Sequence, residues 1–353
     1  GANGQIARSD DVLNEEAVVV IGRVGAYCGS VYYIPEPSWV TDNAIIATAK
    51  PGHDVRFLYY LLGFLELRRT AIGSAQPLMT QGGLKVVQTL VPPLKEQQAI
   101  ACILGALDDK IELNRRMNKT LEDMARAIFK SWFVDFDPVR IKAAGQRPPG
   151  LKPEIAALFP DSFEDSELGE IPKGWGINSL DKIGTFLNGL ALQKYPPSND
   201  TSLPAIKIAQ LRKGNTEGAD KAGGEIDPAY IIRDGDVLFS WSGSLECVIW
   251  TGGRGALNQH LFKVSSEHYP KWFYYFWIHH HLPEFRRIAE GKATTMGHIQ
   301  RYHLTQAIVI IPPKPIFSRA DKFIGPILDG IIINALECNC LSRLRDILLP
   351  MLI

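Results

Sequence analysis

The apolar positions of this chain change rhythm twice, in the same order each time. Up to Pro92-Pro93 they come as short β-branched or aromatic runs such as "EAVVVIG", broken by Gly, Asn and Asp, which predicts strands separated by turns. After Pro-Pro the spacing alternates between four and three: Ile100, Leu104, Leu107, Ile111, Asn114, Asn118, Leu121, Ala125, Ile128 and Trp132. This is an a/d heptad seam, and it predicts a long helix burying one face against another helix. The strand rhythm then returns in "DVLFSW" and "QAIVIIPP". A second Pro-Pro, Pro312-Pro313, leads into a second 4-3 seam of Ala320, Ile324, Ile327, Ile331, Asn334, Cys338, Leu341, Arg345, Leu348 and Leu352.

The two halves are copies. "GSAQPLMTQGGLKVVQTLVPPL" from Gly73 and "GKATTMGHIQRYHLTQAIVIIPPK" from Gly291 both pass from small polar residues through a Gln-bearing loop into an aliphatic strand ending at Pro-Pro. Gly25 meets Gly243 at an offset of 218, and Asn43 meets Asn258 at 215. "FLYY" at 57–60 meets "WFYY" at 272–275, and the Pro-Pro pairs meet at 220. So small a drift predicts loop insertions within one duplicated unit. In each copy one helix, near 57–69 and 272–287, interrupts the strands. The second copy runs from Gly174 to Pro312, whereas only 92 residues lead up to and include Pro92. Residue 1 matches about position 219, so the first copy is expected to lack roughly its first third.

These patterns predict an α+β fold. It comprises a first mixed α/β domain over 1–93, a helix over 94–136, a linker over 137–173, a second domain over 174–313 and a second helix over 314–353. The linker assignment rests on a Pro-rich, acidic and strandless composition. A helix of about 33 residues is ~50 Å long. The two helices are expected to pair antiparallel, as a spacer between like domains related by a pseudo-twofold axis. Asn114 and Asn334 share one mid-seam slot, where a buried Asn fixes register at some cost in stability. Gly325-Pro326 is expected to kink the second helix.

Composition narrows the function. The chain has 353 residues, 46% hydrophobic and 22% charged, with formal net charge zero, which argues against a strongly basic coat but permits a local basic surface. Its five cysteines are odd in number and scattered, so no disulfide framework is expected, and the cytoplasm is the natural compartment. No uninterrupted apolar run reaches membrane-spanning length, so no membrane partner is expected.

The passage "PPLKEQQAIACILGALDDKIELNRRMNKTLEDMARAIFKSWFVDFDPV", its duplicate and the segment "LGEIPKGW" resemble the DNA-specificity subunit of type I restriction–modification systems, over essentially the whole chain. The resemblance implies two target-recognition domains, each reading half of a bipartite site in double-stranded DNA. It implies paired spacer helices, docking of two methyltransferase subunits, and a motor-nuclease subunit that joins them. No cofactor is expected in this chain; S-adenosylmethionine, ATP and Mg are expected in the partner subunits. The modification implied is adenine-N6 methylation.

Catalytic chemistry is not written here. A DNA methyltransferase needs a Gly-rich cofactor loop and an Asn/Asp-Pro-Pro-aromatic tetrapeptide for the flipped base, and neither is present. There is no phosphate-binding G-x-x-x-x-G-K-[ST] loop. The acids Asp161, Glu164, Asp165, Glu167 and Glu170 read as solvated linker. His279-His280-His281 point about 100° apart on a helix, cannot converge on one metal ion, and read as helix surface. Cys338 and Cys340 read as packing residues. Two other classes fit parts of the pattern: a repeat-built protein scaffold that does not read DNA, and a two-lobed enzyme with an unfamiliar site.

Binding residues are expected where the copies differ, because two half-sites need different readers on one scaffold. The loop after the helix offers Ser74, Gln76, Thr80, Gln81 and Lys85 in the first copy, and Lys292, Thr294, Thr295, His298, Gln300 and Arg301 in the second. The Gly-centred turns offer Arg23 and Tyr27, and Ser240, Trp241, Ser242 and Ser244. "KIAQLRKGN" offers Lys207, Gln210, Arg212, Lys213 and Asn215. Gln and Asn suit adenine, Arg and Lys suit guanine, and Ser or Thr suit either base or phosphate.

Overall fold

The computed structural model describes residues 2–73, 76–166, 169–197, 201–291 and 297–353. The chain divides into two units: Gly1–Leu113 with Cys338–Ile353, and Asn114–Glu337. Each takes one part of each long helix. The fold is α+β, as the rhythm of the sequence predicts.

In the first unit β1 (Val18–Gly22) is fully buried and lies between β2 (Val31–Ile34) and β3 (Ala44–Ala47), antiparallel to both. Helix α1 (Val55–Phe64) is capped by Asp54, whose carboxylate accepts from the Phe57 amide at 2.8 Å. The short α2 (Gln81–Lys85) is capped by Thr80. Helix α3 (Leu94–Phe129) starts directly after Pro-Pro.

In the second unit α3 runs on through a π-turn at Lys130–Val134 into α4 (Asp137–Ala143) and α5 (Pro153–Ala156). A hairpin follows, β4 (Phe163–Ser166) with β5 (Gly169–Pro172). Next come β6 (Gly176–Ser179), α6 (Leu180–Ile183), β7 (Thr185–Asn188), β8 (Ser202–Ile206), α7 (Ile208–Lys213), β9 (Lys221–Gly223) and β10 (Ile231–Ile232). The unit continues with β11 (Val237–Ser240), β12 (Cys247–Ile249), β13 (Gly255–Leu257), β14 (Leu261–Ser265), α8 (Lys271–Glu290), α9 (Arg301–Gln306), β15 (Ile308–Ile311) and α10 (Lys314–Leu352). Its sheets run β12-β11-β14-β7 and β10-β13-β8-β9, and β15 pairs with β6.

The predicted duplication holds in the elements the two units share, and it locates where the first unit differs. β2-β1-β3 repeats β12-β11-β14 without the β7 strand. The β10-β13 ladder survives in the first unit only as an isolated bridge between Asn14 and Ser38. The aliphatic strand expected before Pro92 does not form: Leu90 is 94% exposed, whereas its counterpart Ile310 in β15 is 8% exposed. The reason is pairing, since β15 is held by β6 and nothing among the described residues stands in that place in the first unit. Strand propensity alone does not hold an unpaired strand in water.

Segment 137–173, expected as a strandless linker, carries two helices and a hairpin. Val139, Ile155, Phe159 and Ile171 are buried in one core with Phe129, Trp132, Phe133 and Trp175. The stretch "FVDFDPV" is the corner of that core, with Phe136 turned into the left-handed region at φ 57°. The acidic residues misled because they stay on the outside, Glu154, Asp161, Glu164, Asp165 and Glu170 all being exposed, while widely spaced apolar residues, Pro138 and Pro172 among them, fill the inside.

Helices α3 and α10 pair antiparallel within each unit. In the first, Asp108 accepts from Arg345 at 2.8 Å, and the Cys338 thiol lies 3.6 Å from the Ile111 carbonyl. Leu348 and Leu352 pack with Ile100 and Leu104. In the second, Asn118 donates to the Ile331 carbonyl and accepts from Asn334, both at 2.9 Å. Leu107, Leu121, Ile128, Ile324, Ile327 and Leu341 are buried or half-buried along the seam. The buried Asn114 donates to Glu337 at 2.7 Å rather than to Asn334, and its Oδ1 has no partner. We expect Asn114→Leu to raise stability by about 1–3 kcal/mol, read by urea denaturation, and to loosen the helix register. Gly325-Pro326 leaves α10 unbroken.

By length and mean hydropathy α10 is apolar enough to cross a membrane, although polar residues interrupt its apolar runs. Here its apolar seam is covered by α3 in both units.

The three histidines of α8 are not simply surface. Burial pushes the pKa values of His279 and His281 down to about 4, and His281 Nε2 lies 2.8 Å from the Ile308 carbonyl. The unfolded chain binds protons near the ordinary pKa of ~6.5 and the folded chain does not, so their stabilising effect is lost as pH falls from about 6.5 towards 4. Replacing both with Gln should flatten the fall of Tm across that window; an unchanged slope would show that carboxylates alone cause it.

Candidate nucleic-acid interface

Three separate chain segments meet at one place in each unit, joined by the same three backbone hydrogen bonds. In the second unit the Gly243 amide donates to the Gly297 carbonyl at 2.9 Å, the Ile299 amide to Trp241 at 3.0 Å, and the Trp241 amide to His260 at 3.4 Å. In the first, the Gly25 amide donates to Pro77 at 3.0 Å, the Met79 amide to Arg23 at 2.8 Å, and the Arg23 amide to Asn43 at 3.0 Å. Both central glycines have positive φ, 70° at Gly25 and 66° at Gly243, a turn that side-chain-bearing residues rarely adopt. Below each floor one apolar residue, Met79 or Ile299, is buried and pins the loop. This register corrects the expected match of Asn43 with Asn258: the pairing of β3 with β1 and of β14 with β11 makes His260 the structural equivalent of Asn43.

The backbone repeats, but the side chains do not. Where the first unit has Arg23, Val24, Asn43 and Leu78, the second has Trp241, Ser242, His260 and His298. The second floor is tied laterally. The Trp241 indole donates to Asn188 Oδ1 at 3.0 Å and to the Gln259 carbonyl at 3.1 Å, and Ser242 Oγ is 3.1 Å from His260 Nδ1. Gln259 Nε2 reaches His260 Nε2 at 3.4 Å, and Trp241 lies edge-on to His298 with ring centroids 6.2 Å apart. In the first unit the exposed Arg23 reaches the Asp42 carbonyl at 3.4 Å. Tyr27 stands beside it, 46% exposed.

The other expected residues separate into exposed ones and ones bound to neighbouring backbone. Gln76, Gln81 and Lys85 are exposed in the first unit, while Thr80 is spent capping α2. Gln300 is exposed and begins α9; Arg301 is exposed, with its guanidinium over Phe262 and 3.3 Å from the Phe186 carbonyl. Ser74, Lys292, Thr294 and Thr295 lie outside the described residues. Ser240 is fully buried and bonds the Ser244 carbonyl at 2.7 Å, so it shapes the turn rather than facing a partner. Gln210 is likewise buried, accepting from the Lys207 amide at 3.3 Å at the start of α7. Arg212 and Lys213 stay exposed, and Lys207 pairs with Asp220. Sequence reasoning missed Asn188, Gln259 and His260, and Asp42 and Asn43 in the first unit. The one signal for these, Asn188 apart, was that the duplicated landmarks Asn43 and Asn258 sit on or within two residues of the floor positions.

Among the described residues no three His, Cys, Asp or Glu side chains are placed to hold a metal ion. The floors present hydrogen-bonding and aromatic groups that differ between copies, which is recognition chemistry. The family model for the type I restriction modification DNA specificity domain matches residues 2–123 and 172–342, most of the chain and both copies. The chain belongs to that family.

Its relatives include the type I restriction enzyme MjaIX specificity subunit of Methanocaldococcus jannaschii, 27% identical over 86% of this chain and 69% of that protein. The HindI specificity subunit of Haemophilus influenzae is 26% identical over 88% of this chain and 81% of its own length. The crystal structure of the S subunit of M. genitalium has the same fold, with a TM-score of 0.58 at 15% identity over 98% of this chain and 85% of that one. Specificity subunits are the non-catalytic, DNA-binding members of type I complexes, which also contain methyltransferase and restriction subunits.

Proposed function

We propose that each unit reads one half of a bipartite target in double-stranded DNA, through the groups standing on its three-stranded floor. The observation that carries this reading is the identical backbone bonding beneath different side chains. A fixed floor sets the approach to the groove, and exchanged side chains change the bases accepted. In the second unit His260, His298, Gln300 and Arg301 offer donors and acceptors for base edges, while Ser242, expected among them, is buried and supports His260 at 3.1 Å. In the first, Arg23, Asn43, Gln76 and Gln81 do so. Arg212, Lys213 and Lys85 serve phosphates, which position the duplex without specifying its sequence.

The chain acts in the cytoplasm, within a complex holding two methyltransferase subunits and, for cleavage, motor-nuclease subunits. S-adenosylmethionine, ATP and Mg belong to those partners. The long helices carry exposed apolar residues, Leu344, Ile347 and Met351 in the first unit and Met117, Met124 and Ile333 in the second, which suit a protein partner. The decisive experiment compares methyl incorporation into DNA by the purified chain alone and by the chain with its methyltransferase. Transfer is expected only in the complex, at one bipartite motif. Transfer by the chain alone, or a motif without two halves, would overturn the reading.

A further inference from the structure

One short stretch is repeated in both units with the same sequence pattern but not with the same bonds. Glu66-Leu67-Arg68-Arg69 in the first unit matches Glu284-Phe285-Arg286-Arg287 in the second. In both, the first and last residues form an ion pair and the second is buried. The third position differs. Arg286 Nε and Nη2 donate to the Leu245 carbonyl at 3.0 and 2.9 Å, and Nη2 lies 3.5 Å from Glu246. Arg68 is exposed, and among the described residues its guanidinium has no hydrogen bond, ion pair or ring contact.

Two features of the first unit leave it open. The pairings Ile21↔Val31 and Phe239↔Cys247 put Ser30 where the second unit has Glu246, so no carboxylate is offered. In the second unit α8 runs unbroken to Glu290. In the first, α1 ends at Phe64, and the chain turns at Glu66, φ 46°, into a 3-10 turn over Leu67–Thr70. A side-chain-bearing residue in the left-handed region is strain that the surroundings must support. Gly29, at φ 85°, makes the room: a Cβ there would sit 2.7 Å from the Arg68 amide nitrogen. The Arg68 backbone therefore lies directly on the turn that starts at Gly25 and carries the exposed Tyr27. Four residues on, Ile72 and Leu78 exchange backbone hydrogen bonds at 2.9 Å, which joins the same segment to the loop of the floor. Arg68 is thus held at the rim of the floor, where a cleft of about 430 Å³ is lined by Gly29 and residues 66–69.

We propose that Arg68 binds a backbone phosphate of the duplex at the half-site of the first unit, and that Arg286 does not do so in the second. The proposal rests on the reading of DNA by the first unit's floor. A guanidinium whose backbone is fixed at the rim, with its donors open, matches two phosphodiester oxygens beside the groove that the floor faces. Such a contact adds affinity and register without specifying a base.

The test measures binding of the chain, in complex with its methyltransferase, to a duplex carrying the motif it methylates, over a series of salt concentrations. Arg68→Gln should lower the slope of log affinity against log salt by about 0.9, which weakens binding about tenfold at roughly 0.1 M salt. Arg68→Lys should restore most of the slope, because an ammonium still meets a phosphate as a point charge. The weakening should be equal on duplexes altered in either half of the motif, and Arg286→Gln should leave the slope unchanged. A full slope in Arg68→Gln sinks the phosphate contact alone, provided the complex still prefers its motif. Loss of discrimination at one base pair would make Arg68 a reader of bases and overturn the proposal as well. Weakened assembly with the methyltransferase at full slope would assign Arg68 to a protein carboxylate instead. An unaltered complex that shows no preference for its motif would overturn the reading of DNA on which the proposal rests.

Discussion

Alanine in place of Thr294, Thr295, His298, Gln300 and Arg301 together is expected to erase base discrimination in one half of the DNA target and leave the other half intact. Each hydrogen-bonded base edge that goes unread should cost about 1–3 kcal/mol of discrimination, so two or three of them make one half-site nearly indifferent to sequence. His298 and Gln300 stand on the second unit's floor, whose backbone hydrogen bonds run between residues of that unit. His260→Ala should relax the same half, because Ser242 and His260 are joined at 3.1 Å. Arg23→Ala with Asn43→Ala should relax the other. Sequencing of methylated bases in cells carrying each variant reads the result directly. Relaxation of both halves by one set of changes, or of neither, would refute the division of labour.

Phe133→Ala should be the most damaging single core change. Phe133 is fully buried, with the rings of Phe129, Trp132, Trp175, Trp272 and Phe273 all within 6.3 Å between centroids. Truncation removes the transfer energy of the ring and leaves a cavity among side chains held by α3, α8 and the turn after β5, so about 3–5 kcal/mol should be lost. Leu90→Ser, at an equally apolar position by sequence, should change stability by less than about 0.5 kcal/mol, because Leu90 is 94% exposed. Denaturation followed by tryptophan fluorescence compares the two. Equal effects would mean that 88–91 is packed in solution.

The duplication, the fold class and the antiparallel helix pair were legible in the sequence because each depends on spacing. A 4-3 seam requires a partner of the same pitch, and matched landmarks at offsets of 215 to 220 require one repeated unit. The positions at which the copies differ were legible too, since two copies of one scaffold expose their differences. Which of those residues face outward was decided by tertiary structure. Ser240 and Gln210 are as polar as Gln81 and Gln300, yet the first two are buried and bonded to neighbouring backbone while the other two are exposed. His260 joins the floor only because β14 pairs with β11 in that register.

The same cause separates 86–91 from β15. Both stretches end on two aliphatic residues before Pro-Pro, though Gln88 and Thr89 stand where β15 has Ile308 and Val309, and a strand is held by hydrogen bonds to a partner that its own sequence does not contain. The stretch 137–173 shows the converse: its composition reads as solvated, and the aromatic core beneath it supplies the order. Local periodicity specified the elements and their repetition. Long-range pairing and burial determined which repeated elements are completed and which polar groups are left to bind.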